Sequence, residues 1–345
     1  AFTANAYSGN PAAVVLIPED SPLSDEQMRK IARQMNLSET AFISLHNGQA
    51  QEAPRHGSSL DAFKSRSRFG LRWLTPDGTE VALCGHGTLA AATMLAKVVG
   101  NNSDVLVFDT QSGEISTTRD SGPDGGQSTQ HFRLDLPANP PQPVEGLSAE
   151  VLSVATKLKQ TVIKASQMQP FDMSDEAAIE LLYSASTKKL LMVLPNKRST
   201  RMFLREHMAR DLPTKLLASH DGSIVKGVIV TVRGTEPISW GARLSDASTE
   251  PSGDQEQESF HFESRYFAPW VGIPEDPVTG SAHSVLAPYW ADRLKLPASP
   301  DCTMKALQCS YRGGQMHLRL HGSARVFILA ASTVVMNGQL AWPST

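Results

Sequence analysis

The stretch Leu83-Cys84-Gly85-His86-Gly87-Thr88-Leu89-Ala90-Ala91-Ala92 decides how the rest of the chain is read. A strand-like run ends at Leu83. Gly85 and Gly87 then give the backbone room to turn where a side chain would clash. Thr88 to Leu95 reads as helix, with neither Pro nor Gly inside it. The first N–H groups of such a helix lack internal acceptors and carry the positive end of its dipole, so the turn suits an anion. Cys84 and His86, both able to exchange protons, stand at that spot.

A second stretch follows the same plan. Arg72-Trp73-Leu74-Thr75-Pro76 leads through a turn into Gly85-His86-Gly87-Thr88. Arg265-Tyr266-Phe267-Ala268-Pro269 leads through a turn into Gly280-Ser281-Ala282-His283. Beyond each helix a Gln precedes a Gly-containing hairpin, Gln111 before Gly113 and Gln308 before Gly313-Gly314. Self-similarity of this kind predicts two similar halves, each offering a helix N-terminus. Were the halves to face one another, both termini would open on one cleft, a favoured place for ligands. The plainer alternative is two unrelated strand–Pro–turn–helix units.

The bulk of the chain narrows the function classes. A length of 345 residues suits two domains of ordinary size. With 32 Lys and Arg against 35 Asp and Glu, the formal charge is -3, and no basic field recommends nucleic acid or an anionic membrane. No apolar run approaches the roughly 18 to 20 residues of a membrane span. Ala1-Phe2-Thr3 reads as a start inside a strand, without a secretory leader. The cysteines, Cys84, Cys302 and Cys309, are odd in number and sparse, which argues against a disulfide framework and for a reducing, cytoplasmic setting. Zinc spacing, a dinucleotide fingerprint, a P-loop and a nucleophile elbow are all missing from the sequence, so neither metal nor cofactor is expected.

The elements come in a plain order. Gly9-Asn10-Pro11 is a turn and Ala12 to Ile17 a buried strand. Ser24 caps a helix in which Met28, Ile31, Ala32 and Met35 share one apolar face and which ends near Asn36. Leu37 to Ser44 begins as a turn and becomes a strand, with Glu39 at its mouth. His46 to Ser67, Asp120 to Thr129 and Ser245 to Ser259 read as polar loops or surface insertions. Strands are expected at Leu71 to Pro76, Val105 to Thr110 and His131 to Leu136. The second half should hold a helix at Ala149 to Lys157, a strand at Gln160 to Ser166, a helix at Ala178 to Lys188 and a strand at Leu190 to Leu194. Helical stretches follow within Thr200 to Leu217. Strands come at Ser223 to Val232 and Phe260 to Phe267, a helix at Ser284 to Leu294, and strands close the chain at Met316 to Leu320 and Ala324 to Ala330. The Pro-rich run Pro137 to Pro143 separates domains 1–136 and 144–345, the last strands being free to cross back to the first domain.

Particular residues carry two readings each. Glu39 is an inert turn carboxylate, or a general base whose pKa is raised by Leu37, Ala41, Phe42 and Ile43 around it. His86 packs at a helix start, or works there while the Gly85 and His86 N–H groups hold an oxyanion. Glu275-Asp276 is an exposed turn pair, or Asp276 flanks the second helix start together with Ser281, whose commoner job is N-cap. Cys84 is preferred as a core cysteine over a reactive thiol, because no Cys stands in the matching second turn. Arg72 and Arg265 read as strand-face charges and His283 as structural or lining a cleft.

Four motifs in order carry a resemblance. Gly9-Asn10-Pro11-Ala12-Ala13-Val14-Val15, Asn36-Leu37-Ser38-Glu39-Thr40, Cys84-Gly85-His86-Gly87-Thr88-Leu89-Ala90 and Glu275-Asp276-Pro277-Val278-Thr279-Gly280-Ser281-Ala282 together resemble the PhzF family, the phenazine-biosynthesis-like proteins, relatives of diaminopimelate epimerase and proline racemase. The resemblance implies an α+β fold of two pseudo-symmetric, diaminopimelate-epimerase-like domains, each a mixed sheet rolled around a central helix. It implies a homodimer and a cofactor- and metal-independent isomerase that moves a proton at carbon of a small anionic, carboxylate- or amino-acid-like substrate. Residue by residue, the family's glutamate, histidine, aspartate and serine fall on Glu39, His86, Asp276 and Ser281. Glu39, His86 and Asp276 would act in catalysis, and Gly85, Gly87, Gly280 and Ser281 would bind substrate. The phenazine enzyme has Pro where this chain has Gly87, so the pocket would differ. The related epimerases use two thiols, and here only Cys84 is in place. A racemase, and a binding or scaffold protein that keeps the fold without turnover, are the rival readings.

Overall fold

The computed structural model describes residues 1–20, 22–45, 59–120, 131–165, 176–234, 260–297 and 302–340. The chain divides into two compact units: Ala1–Gly122 with Gln127–Leu134 and Ala330–Thr345, and Pro123–Gly126 with Asp135–Leu329.

In the first unit, β1 (Ala13–Ile17) runs parallel to β2 (Thr40–Ser44), and between them comes α1 (Asp25–Met35). The helix starts at Ser24 because its side chain accepts the Gln27 N–H while Gln27 reaches back to the Ser24 N–H, a complete capping box. It stops at Asn36, which takes the left-handed conformation. Met28, Ile31 and Ala32 pack on Phe42 and Leu74. After α2 (Ser59–Ser65), β3 (Arg68–Leu74) pairs antiparallel with β2 and with the short β4 (Glu80–Val81). Then α3 (Gly85–Thr93) continues as a π-helical turn, Met94–Val99. β5 (Val105–Thr110) runs parallel to β3, and β6 (Gly113–Asp120) and β7 (His131–Pro137) extend the ladder antiparallel. Helix α3 is apolar on nearly every side and lies against β1, β2 and β6, as a helix buried all round must.

The second unit repeats the scheme with additions. β8 (Gln142–Pro143) and α4 (Ala149–Lys164) come first. β9 (Glu180–Ser184) and β10 (Lys189–Val193) form an antiparallel hairpin. α5 (Arg198–Met202) and α6 (Leu212–Ser219) follow, and β11 (Gly227–Arg233) lies parallel to β10. β12 (Phe262–Ala268) pairs antiparallel with β11 and with β13 (Ile273–Asp276). Then come the buried α7 (Gly280–Arg293), β14 (Met304–Gln308) parallel to β12, and the antiparallel pair β15 (Gly314–His321) and β16 (Arg325–Ala331). Element by element, β1-β2-β3-β4-α3-β5-β6-β7 corresponds to β10-β11-β12-β13-α7-β14-β15-β16, with the same parallel and antiparallel senses. The fold is the expected α+β architecture of two pseudo-symmetric, mixed-sheet units, each with a buried helix.

Several expectations are corrected. Ala12 to Ile17 is half-buried rather than buried. Ala1 to Thr3 is not a strand, although the Thr3 N–H donates to the Ala331 carbonyl at 3.0 Å and Phe2 is fully buried. Of the insertion at 46–67, residues 46–58 lie outside the described residues. The remainder includes α2, whose Phe63 is buried and stacked on Phe69. The polar runs at 121–129 and 245–259 likewise lie outside the described residues. Gln160 to Lys164 is helix, not strand: α4 runs on because Ala155, Leu158 and Val162 keep one buried face. The helix expected at Ala178 to Lys188 is instead strand β9 and its turn, held by β8 on one side and β10 on the other. Cross-strand burial there overrides the helix propensity of its Glu and Leu residues. Among the described residues no helix is long and apolar enough to cross a membrane.

Candidate active site

Helix α3 begins three residues earlier than its sequence suggests, at Gly85, with Cys84 as N-cap. Gly85 and Gly87 therefore belong to the helix. Cys84 Sγ accepts the Gly87 N–H at 3.3 Å, which leaves the Gly85 and His86 N–H groups without acceptors among the described residues. Gly87 provides clearance: a methyl group there would meet Trp73 Cδ1 at 2.7 Å and Cys84 Sγ at 3.0 Å.

Around this start the chain gathers a buried proton-exchanging set. His86 Nδ1 lies 3.5 Å from Cys84 Sγ. Its Nε2 lies 3.2 Å from Ser38 Oγ and 3.2 Å from Glu39 Oε2. Glu39 is 6% exposed, and its Oε2 has no aligned hydrogen bond among the described residues. Ser38 Oγ also touches the buried Asn10 Oδ1 at 3.5 Å, which ties in the first motif. Neither Ser38 nor Asn10 was singled out from sequence; their placement beside Glu39 and after Gly9 was the available signal.

Burial by itself would raise Glu39, as its apolar neighbours suggest. The close contact and charge of His86, with Ser38 nearby, outweigh it and bring the carboxyl below its usual range, reversing the expected direction. Burial pushes His86 down, but Cys84 and Glu39 beside it carry the imidazole well above its ordinary value. Burial raises the Cys84 thiol. The carboxyl is thus held below its usual range, while His86 and Cys84 share one proton-exchanging contact and shift upward together. Glu39, Cys84 and His86 have donor atoms within 4.8 Å of one another, the spacing of a metal cluster. One ring nitrogen faces the thiol and the other the carboxylate, so the same three residues also form a chain along which a proton can pass.

The start of α7 in the second unit is built differently. Asp276 ends β13, opposite Tyr266, and is buried. Thr279 is the N-cap, so Ser281 lies inside the helix and does not cap it. Thr279 Oγ1 donates to Asp276 Oδ2 at 2.5 Å. The fully buried Gln308 accepts the Thr279 N–H at 2.9 Å and donates to the Asp276 carbonyl at 2.6 Å. The Gly280 and Ser281 N–H groups and the Ser281 hydroxyl meet no acceptor among the described residues. The sequence assigns no site role to Thr279 or Gln308. The repeat pairs Gln308 with Gln111, but strand register sets it instead opposite Ser264, the place Thr110 takes in the first unit. His283 is structural, its Nδ1 2.8 Å from the Thr279 carbonyl and its ring stacked on Phe262. Arg72 and Arg265 each hold one glutamate through two hydrogen bonds, Glu80 and Glu275, and so pin the strand that leads into each helix.

Residues 1–229 and 246–338 match the PhzC-PhzF family, described as phenazine biosynthesis-like protein. The chain belongs to this family. It is 39% identical over 341 residues to the human phenazine biosynthesis-like domain-containing protein, covering 99% of this chain and 96% of that one. It is 34% identical to an uncharacterized isomerase of Pseudomonas aeruginosa, covering 99% and 95%. A crystal structure of a PhzF-family protein from Enterococcus faecalis superposes with a TM-score of 0.65 at 26% identity, covering 99% and 96%. Within the PhzC-PhzF fold, Glu39 and His86 belong to the first unit's helix start, and Asp276 and Ser281 to the second's.

Proposed function

We propose that this chain is a cofactor-independent isomerase that moves a proton between carbons of a small carboxylate- or amino-acid-like substrate. One observation carries the reading: a buried glutamate, its carboxyl held below the usual range, has an oxygen without an aligned donor among the described residues and 3.2 Å from the His86 ring. Glu39 takes the proton from a C–H bond. The bonding pair moves toward the substrate's carboxylate or carbonyl, where the Gly85 and His86 N–H groups hold the oxyanion. Glu39 then returns that proton at another carbon, or His86 gives its own and is reprotonated by Glu39 across their 3.2 Å contact, so atoms and charge balance over the cycle. Asp276 and the Gly280–Ser281 helix start bind and orient substrate, and the protein works as a homodimer in the cytoplasm.

A two-thiol racemase is disfavoured by the correspondence of the helix caps, since Cys84 is matched by Thr279. Incubation with a panel of cyclic and acyclic amino and hydroxy acids in deuterium oxide, followed by mass spectrometry, tests the reading. Deuterium enters at carbon with the native protein, and Glu39→Gln slows entry by about 10² to 10⁴-fold. Uptake unchanged in Glu39→Gln defeats the mechanism, and binding with no uptake by any candidate favours the scaffold reading.

A further inference from the structure

Lys189 opens β10 in the second unit and is 8% exposed. Leu190 and Met192 face the core formed with α4 and α6. Alternation along the strand therefore puts Lys189 on the opposite face, with Leu191 and Val193. Its ammonium stands 5.6 Å from the centroid of the Tyr266 ring. Tyr266 pairs with Asp276 across β12 and β13, so Lys189 belongs to the same neighbourhood as the α7 start.

The ammonium has no hydrogen bond and no ion pair at bonding distance among the described residues. Asp276 is near enough for its charge to act on the amine, yet one of its oxygens is already held by Thr279. A buried cation without a bonded counter-charge is costly, and lysines ordinarily avoid the cost by reaching out to solvent. Lys188, next in the chain, does so: it is exposed and donates to the Ser223 carbonyl at 2.9 Å. Burial presses the Lys189 amine down to about 8, against the pull of Asp276.

We propose that Lys189 is a ligand-binding residue, its ammonium receiving an anionic group, a carboxylate or a phosphate, beside Asp276 in the second unit. The inference deepens the isomerase reading by giving the substrate's anionic group a side-chain partner in addition to the helix N–H groups. It requires no turnover and is tested without any.

The test is trace labelling of the whole protein with acetic anhydride across pH 6 to 10, read by peptide mass spectrometry, with Lys188 as internal control. Labelling is repeated with sodium succinate, with inorganic phosphate, and with sodium chloride at matched ionic strength. Lys189 labelling falls about tenfold at an anion concentration about ten times its Kd, and Lys188 labelling does not change. Succinate as the better protector identifies a carboxylate ligand, and phosphate a phosphorylated one. In a parallel thermal-shift titration Lys189→Arg keeps the stabilisation by that anion and Lys189→Met loses it. Equal labelling of Lys189 under all three salts overturns the proposal, as does an undiminished thermal shift in Lys189→Met. Failure of the deuterium exchange with Lys189 still protected removes the isomerase reading alone.

Discussion

The two buried helix starts are the same strand–turn–helix unit carrying different charge arrangements. At α3 the cap is Cys84, the first turn holds His86, and the turn before β2 supplies Glu39, so anion and cation satisfy one another within the unit. At α7 the cap is Thr279, the histidine's place is taken by Ser281, and strand register sets Gly227 where Glu39 would stand. The space a side chain would need at Gly227 is filled by the Tyr266 ring, whose hydroxyl would lie 2.3 Å from an added methyl. Without a glutamate at that position, the second start has an aspartate held by Thr279 and a lysine that lies over the Tyr266 ring with no hydrogen bond among the described residues. On the proposed reading one fold unit specialises twice, the first start moving protons and the second holding an anion.

The largest effect should separate these roles. Glu39→Gln lowers deuterium exchange by about 10² to 10⁴-fold, whereas Ser281→Ala, which removes a donor at the second start, acts mainly on apparent substrate affinity. The pH profile carries the same distinction. Exchange is lost in acid as Glu39 protonates, below the usual carboxylate range, and in base as His86 gives up its proton, well above 6.5. His86→Gln removes the basic limb and leaves the acidic one. Equal losses of exchange rate and unchanged affinity in Glu39→Gln and Ser281→Ala would dissolve the division of labour.

Next in size is the stability cost of Lys189. Its amine falls from 10.5 to about 8, which at about 1.4 kcal/mol per pH unit makes the protonated form about 3 kcal/mol less stable folded than its unfolded reference. The sign follows from proton counts. Between about pH 8 and 10.5 the unfolded chain binds the extra proton, so stability rises with pH across that window and is flat beyond it. Lys189→Met should therefore stabilise the protein at pH 7 by up to about 3 kcal/mol in urea unfolding and abolish the rise above pH 8. A destabilised Lys189→Met would mean that the ammonium supports the fold and is not held at a cost for a ligand.

Sequence legibility follows how local each cause is. The Ser24 cap, the Asn36 stop and the apolar face between them are decided within a dozen residues, and they read correctly. Both helix starts and the Arg–Glu pairs behind them are legible as a repeat, because the same residues do the same work twice. β9 is not legible: its Glu-Leu-Leu-Tyr sequence favours helix locally, and only two neighbouring strands make it a strand. Gln308 and Lys189 escape for a similar reason. Gln308 joins the site through register with β12, 44 residues away at Ser264, and Lys189 looks like one more hairpin lysine until the sheet buries it. The direction of the Glu39 shift is not legible because its apolar neighbours are adjacent in sequence while His86, which reverses it, lies 47 residues on.

The smallest effects compare the third helical residue of each start, Gly87 and Ala282, which correspond through their caps. Gly87→Ala forces a methyl against Trp73, whose indole N–H is buried without a partner among the described residues and whose ring is fully packed. Overpacking of this kind costs about 1 to 3 kcal/mol. It also presses on Cys84 Sγ at 3.0 Å, so it should lower exchange as well as stability. Ala282→Gly removes a buried methyl and weakens the helix by about 1 kcal/mol, with exchange rate unchanged once the folded fraction is accounted for. Chemical unfolding with exchange assays on the same samples reads both. The comparison sharpens if only the first-unit variant loses activity beyond its stability loss. It breaks if Ala282→Gly does so too, because a perturbation confined to the anion-holding start would then reach the proton-moving one.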